Sequence, residues 1–275
     1  MTQFLKIIFP PGAKVASVPL VFLSMVFVAV LQTPAQAVIG TGWVSFGIAI
    51  NELVAVAGVP LFLAWVLNLD SKRLFRLASP SKSSLALVVV ATLGAVVVID
   101  YATAASELFI PVPDRVEAAY ARLMHTGGAW DVAAKLVALC VLPAVCEEVY
   151  FRGFCLTSIA AKTGRWPAIA ISALIFSVMH GNLWYAHLYF ALGLFLGWVY
   201  CVTGSLAAAI LCHFINNSWT FLNYVRGFKL PPSPEFGATN AAVLLFGVFL
   251  LAGACFMLGR ASSSSCSSTR RSPRL

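Results

Sequence analysis

The sequence predicts an all-α, polytopic membrane protein of about eight transmembrane helices, with a polar centre inside the helical core. Three observations carry that prediction. Of 275 residues, 60% are hydrophobic and only 10% are charged, against roughly 25% charged in an ordinary soluble domain. Mean hydropathy is +0.91, more apolar surface than one soluble core of this length can hide. The apolar residues also fall in continuous runs near the 20 residues that cross a bilayer, and not in the alternation of a membrane β-barrel.

Taken in order, the expected spans are Val15–Leu31, Ser45–Leu67, Leu85–Ile110, Val132–Ala161, Trp166–His180, Ala186–Thr203, Ser205–Tyr224 and Ala238–Leu258. The first has a rival reading. Lys6 and Lys14 precede it, and Ala35-Gln36-Ala37 resembles a signal-peptidase site. Its apolar run is long for a signal peptide and Pro10-Pro11 interrupts the leader, so we read it as a retained helix. The third and fourth spans are long and the fifth is short. Residues 1–260 read as one multi-pass domain, with no internal repeat. The Ser-rich, basic tail 261–275 is expected to be disordered. Six of the seven cysteines lie in apolar stretches and none forms a CxxC, which suits packed, reduced thiols.

The net charge of +8 does not point to nucleic acid, because the basic residues sit between apolar stretches and no aromatic–basic alternation accompanies them. They suit anionic lipid headgroups and set orientation. With the N-terminus inside, the inner segments carry twelve Lys and Arg and the outer ones four: Arg115, Arg122, Arg226 and Lys229. Lys135 and Arg152 fall within helix and are not counted. The bias predicts both termini in the cytoplasm, with a bacterial inner membrane as the favoured location.

A charged side chain in hydrocarbon costs about 2.5–3.5 kcal/mol on insertion scales, so each one needs a reason. The fourth span contains Glu147 and Glu148 side by side, followed by Arg152. Adjacent helix positions point about 100° apart, so the two acids cannot share a job. Glu148 and Arg152 lie four apart on one face and can neutralise each other. Glu147 is then left over. The fifth span ends at His180, and the seventh carries His213 and Asn217 on one face. Each of these also has a plain reading as a packing hydrogen bond between helices. Depth makes the group more specific. Glu147 and His180 each lie fifteen residues from the short loop Lys162–Arg165, roughly 22 Å of helix. His213 and Asn217 lie roughly 12 and 18 Å in from Ser205.

A carboxylate beside an imidazole can activate water, and a second imidazole with an amide can stabilise an oxyanion. Together they suit hydrolysis of an amide bond without a serine, cysteine or threonine nucleophile. Glu147–Arg152 forms EExxxR, Phe176–His180 forms FxxxH and His213–Asn217 forms HxxxN. Three such motifs in this order, within a core at residues 144–217, resemble the CPBP family (CAAX proteases and bacteriocin-processing enzymes, or ABI family), relatives of the type II CAAX prenyl endopeptidase.

The resemblance implies an intramembrane endopeptidase acting on a lipidated or membrane-embedded protein or peptide. Glu147 with His180 would activate water, His213 with Asn217 would hold the oxyanion, and Glu148 and Arg152 would support them. Members of the family are described both as zinc enzymes and as metal-free glutamate enzymes. Glu147, His180 and His213 could hold Zn²⁺ with an open fourth position. No carboxylate standing behind either imidazole is evident from sequence, which favours the form without a cofactor. HExxH, GxSG and GxGD, the signatures of other intramembrane proteases, do not occur. Asp100 reads as structural, and Glu52 beside Asn51 as a possible cavity residue. The alternative function is a catalytically silent or transporter-like membrane scaffold, in which the polar residues pair or bind an ion.

Overall fold

The structure is a computed structural model that describes residues 3–36, 43–77, 79–227 and 237–269. Among them every regular element is helical. The helices are α1 (Gln3–Ile8), α2 (Val18–Gln36), α3 (Val44–Val66), α4 (Ser71–Phe75), α5 (Lys82–Glu107) and α6 (Asp114–Met124). They continue with α7 (Ala129–Thr163), α8 (Arg165–Met179), α9 (Ala186–Thr203), α10 (Leu206–Val225) and α11 (Ala238–Thr269).

Each of the eight expected apolar segments is a helix, but five are long and apolar enough to cross a bilayer: α3, α5, α7, α9 and residues Ala238–Ala261 of α11. Val18–Thr33 of α2 and all of α8 are shorter apolar helices. In α10 the polar residues His213, Asn216 and Asn217 interrupt the apolar run. The chain is thus a polytopic helical membrane protein in which five of the eight expected spans meet the requirement on length and composition. Helix α11 runs to Thr269, into the tail expected to be disordered, and 270–275 lie outside the described residues. The cleavage-like Ala37 and the outer basic residue Lys229 also lie outside them.

Helix α7 is the centre of the bundle. Tyr150, Phe154 and Cys155 are fully buried, and Phe151 and Cys146 nearly so. Helices α3, α8, α9 and α10 all pack against it. Hydroxyl contacts tie the layers together. Ser24 of α2 meets the Tyr150 hydroxyl at 3.0 Å, and Ser172 of α8 donates to the Phe151 carbonyl at 2.9 Å. Tyr200 of α9 donates to the Leu74 carbonyl at 3.0 Å and contacts Thr157 at 2.8 Å. In lipid such bonds are the directional glue that apolar packing lacks.

The buried Lys135 has a structural explanation. It donates to the His125 carbonyl at the end of α6 and pairs with Asp131 at 3.6 Å. Asp100, read from sequence as structural, accepts from the Trp219 indole at 2.6 Å.

Helices α5 and α11 cross closely at two glycines. A Cβ on Gly94 would lie 2.6 Å from the Gly247 carbonyl oxygen, and one on Gly247 would lie 2.7 Å from Val97. The obstacle at Gly94 is backbone, which cannot swing aside. Gly94→Ala should therefore push the helices apart and cost about 1–3 kcal/mol. Thermal unfolding of the detergent-solubilised protein should show a lower Tm for G94A and no change for Gly253→Ala, where a Cβ meets open space.

Candidate active site

Helix α7 is interrupted by two π-helical stretches, Leu136–Val141 and Val149–Leu156, with a short regular part, Leu142–Glu148, between them. Extra residues per turn of this kind commonly mark functional positions. Pro143 sits at the start of the regular part. Lacking an N–H, it leaves the Leu139 carbonyl without its usual partner four residues on. That carbonyl instead accepts from Asn217 Nδ2 of α10 at 3.1 Å. The proline thus converts a helix defect into a polar tie between α7 and α10.

The regular part ends on Glu147 and Glu148, which diverge as helix geometry requires. Glu148 points into the bundle and is fully buried. Its Oε1 accepts from Arg152 Nη1 at 2.7 Å and from His213 Nδ1 at 2.9 Å. Arg152 is equally buried; its Nη2 donates to the Gly193 carbonyl at 3.1 Å, and its guanidinium lies 4.7 Å from the centre of the Phe176 ring. The i,i+4 pairing read from sequence is therefore present, and His213 joins it from another helix. This also corrects one expectation, since a carboxylate does stand behind an imidazole.

Glu147 points the other way, into a cavity of about 180 Å³ lined also by Gln32, Val56, Tyr150, Met179 and His180. Its Oε2 is buried without a hydrogen-bond partner. The nearest imidazole nitrogen, His213 Nε2, is 4.0 Å away, too far for a hydrogen bond. The acid expected to be left over is left over.

His180 closes helix α8. Gly181 follows with φ +62°, a left-handed conformation that a side chain would strain and that ends the helix there. His180 Nδ1 lies 2.7 Å from the Phe176 carbonyl oxygen. A carbonyl can only accept, so Nδ1 carries a hydrogen and, in the neutral ring, Nε2 is the free acceptor. The ring is clamped between Phe176, with centroids 4.5 Å apart, and Tyr189, stacked at 4.0 Å.

The structure thus brings Glu147 and His180 to one cavity and sets His213 behind Glu147. Asn217, one turn beyond His213, does not line that cavity. It donates to Leu139, and its Oδ1 accepts from Asn216 at 3.2 Å. Among the described residues, no group of three His, Cys, Asp or Glu side chains is placed to hold a metal ion. Sequence reasoning missed Tyr189 and the carbonyls of Leu139 and Gly193. Only Pro143 could have signalled one of them, by freeing Leu139.

Residues 129–219 match the family model described as Type II CAAX prenyl endopeptidase Rce1-like. All three motifs lie inside that match, and the resemblance read from them holds. Over these residues the chain is similar to the CAAX-protease family, whose model carries the description of a prenyl endopeptidase. No curated protein and no solved structure matches the chain.

Removing one member of the buried ion pair should damage the fold. Arg152→Leu leaves Glu148 buried without its cation, at a cost of about 3–5 kcal/mol. The yield of folded protein and its Tm should drop sharply, and the double variant E148Q/R152L should recover much of the loss.

Proposed function

We propose that the protein is a glutamate-dependent intramembrane endopeptidase that works without a metal and cleaves a peptide bond in a lipidated or membrane-anchored polypeptide. The observation that carries this reading is the unpartnered Glu147 carboxylate oxygen facing a cavity shared with His180. Glu147 and His180 together activate a water, which gives one hydrogen to the carboxylate and is held in place by the imidazole beside it. Its oxygen adds to the scissile carbonyl carbon, and its proton passes to Glu147. The same proton then goes to the leaving nitrogen as the C–N bond breaks, giving a carboxyl product and an amine.

His213 and Asn217 are the oxyanion donors in this reading. Asn217 Nδ2 has a second hydrogen beyond the one given to Leu139. His213 donates from Nε2 when both ring nitrogens are protonated, with Nδ1 held by Glu148. Glu148 and Arg152 act through His213 and are positioning residues. We further infer that the protein lies in a bacterial inner membrane with both termini cytoplasmic, which the distribution of basic residues favours.

The test is cleavage in proteoliposomes of an internally quenched farnesylated CaaX peptide and of a single-span peptide. Glu147→Gln and His180→Ala should each abolish cleavage of whichever probe the wild type cuts, with Tm unchanged. Asn217→Ala should lower kcat by about 100-fold or more. A strong chelator should leave the wild-type rate intact. Cleavage by Glu147→Gln at the wild-type rate would remove the mechanism and favour the silent scaffold.

A further inference from the structure

A second buried carboxyl group sits on a helix packed against the segment that carries Glu147. Glu52 lies on α3 in a π-helical stretch, Asn51–Ala57, that packs against the Leu142–Glu148 part of α7. It is 5% exposed, an expensive placement for an acid in lipid unless it serves a purpose. Asn51 precedes it in the same stretch, and the Glu147 carboxylate bears on it electrostatically. Val56, one turn after Glu52, lines the same cavity as Glu147.

The hydrogen-bond accounting around these groups is unbalanced. Asn51 Oδ1, Glu52 Oε2 and Glu147 Oε2 are all buried, and none has a donor. Buried polar atoms in folded proteins are nearly always paired, and a buried water typically serves about three of them. Three acceptors without donors call for a ligand that brings hydrogens, and the smallest that does so is water.

We propose that Glu52 is a positioning residue that, with Asn51, orients the attacking water for Glu147. This rests on the protease reading given above. The water gives one hydrogen to Glu147 and the other to the Glu52–Asn51 side, which turns its lone pairs towards the cavity. Glu52 does not touch the substrate. Its contribution is to the angle and occupancy of the nucleophile, so it affects kcat and leaves KM alone.

Glu52→Leu and Glu52→Met, which remove the acceptors, should lower kcat on the farnesylated CaaX probe by about 10- to 100-fold with KM unchanged. Their Tm should equal or exceed that of the wild type, since an uncompensated polar group has been replaced by an apolar one. Glu52→Gln keeps an acceptor oxygen and should retain activity within a few-fold. Wild-type kcat in a folded Leu or Met variant would overturn the role of Glu52. So would a Gln variant as impaired as the Leu variant, or losses matched by loss of folded protein in both apolar variants. Glu147→Gln, run alongside, separates the two levels: its inactivity with a fully active Glu52→Leu sinks only this inference, whereas its activity sinks the protease reading beneath it.

Discussion

The buried contact of Glu148 with Arg152 and His213 is the constraint on which the rest depends. In a low-dielectric core a carboxylate, a guanidinium and an imidazole are tolerable only together. Because Arg152 lies four residues after Glu148 and not after Glu147, helix periodicity decides which acid is neutralised. His213 then spends Nδ1 on the same carboxylate, which turns Nε2 towards Glu147. One bonded group therefore orients an imidazole from a distant helix and leaves a second acid without a partner.

The backbone serves that arrangement. Pro143 frees a carbonyl that fastens α10 to α7 through Asn217, and π-helical stretches on both sides adjust the rotation of the segment carrying the two acids. At the end of α8, Gly181 stops the helix where His180 can bond back to Phe176. The aromatic clamp of Phe176 and Tyr189 then fixes the ring without using Nε2. Proline, glycine and aromatic positions thus leave the reactive atoms uncommitted while the atoms beside them are bonded. A base that must take a proton needs that division.

How much of this was legible in the sequence follows from what spacing encodes. Contacts within one helix were readable: the Glu148–Arg152 pair and the isolation of Glu147 follow from 3.6 residues per turn. Depth was readable too, because equal counts from the Lys162–Arg165 loop bring Glu147 and His180 to one level, and they share a cavity. Contacts between helices were not. Whether His213 bonds Glu148 or Glu147, and whether Asn217 faces the cavity or the Leu139 carbonyl, depends on the rotation of α10 about its axis. No spacing within α10 reports that rotation. Five of the eight expected spans meet the length and composition requirement; hydropathy drops where polar residues crowd one helix, as in α10, and the apolar parts of α2 and α8 are short.

The central claim concerns which acid Arg152 and His213 hold, and an atomic-resolution cryo-EM map of the protein in lipid nanodiscs tests it most directly. The account predicts density joining both side chains to Glu148, with the Glu147 carboxylate facing His180 across the cavity. Density joining Arg152 to Glu147, or Glu147 and His180 on opposite sides of α7, would contradict it.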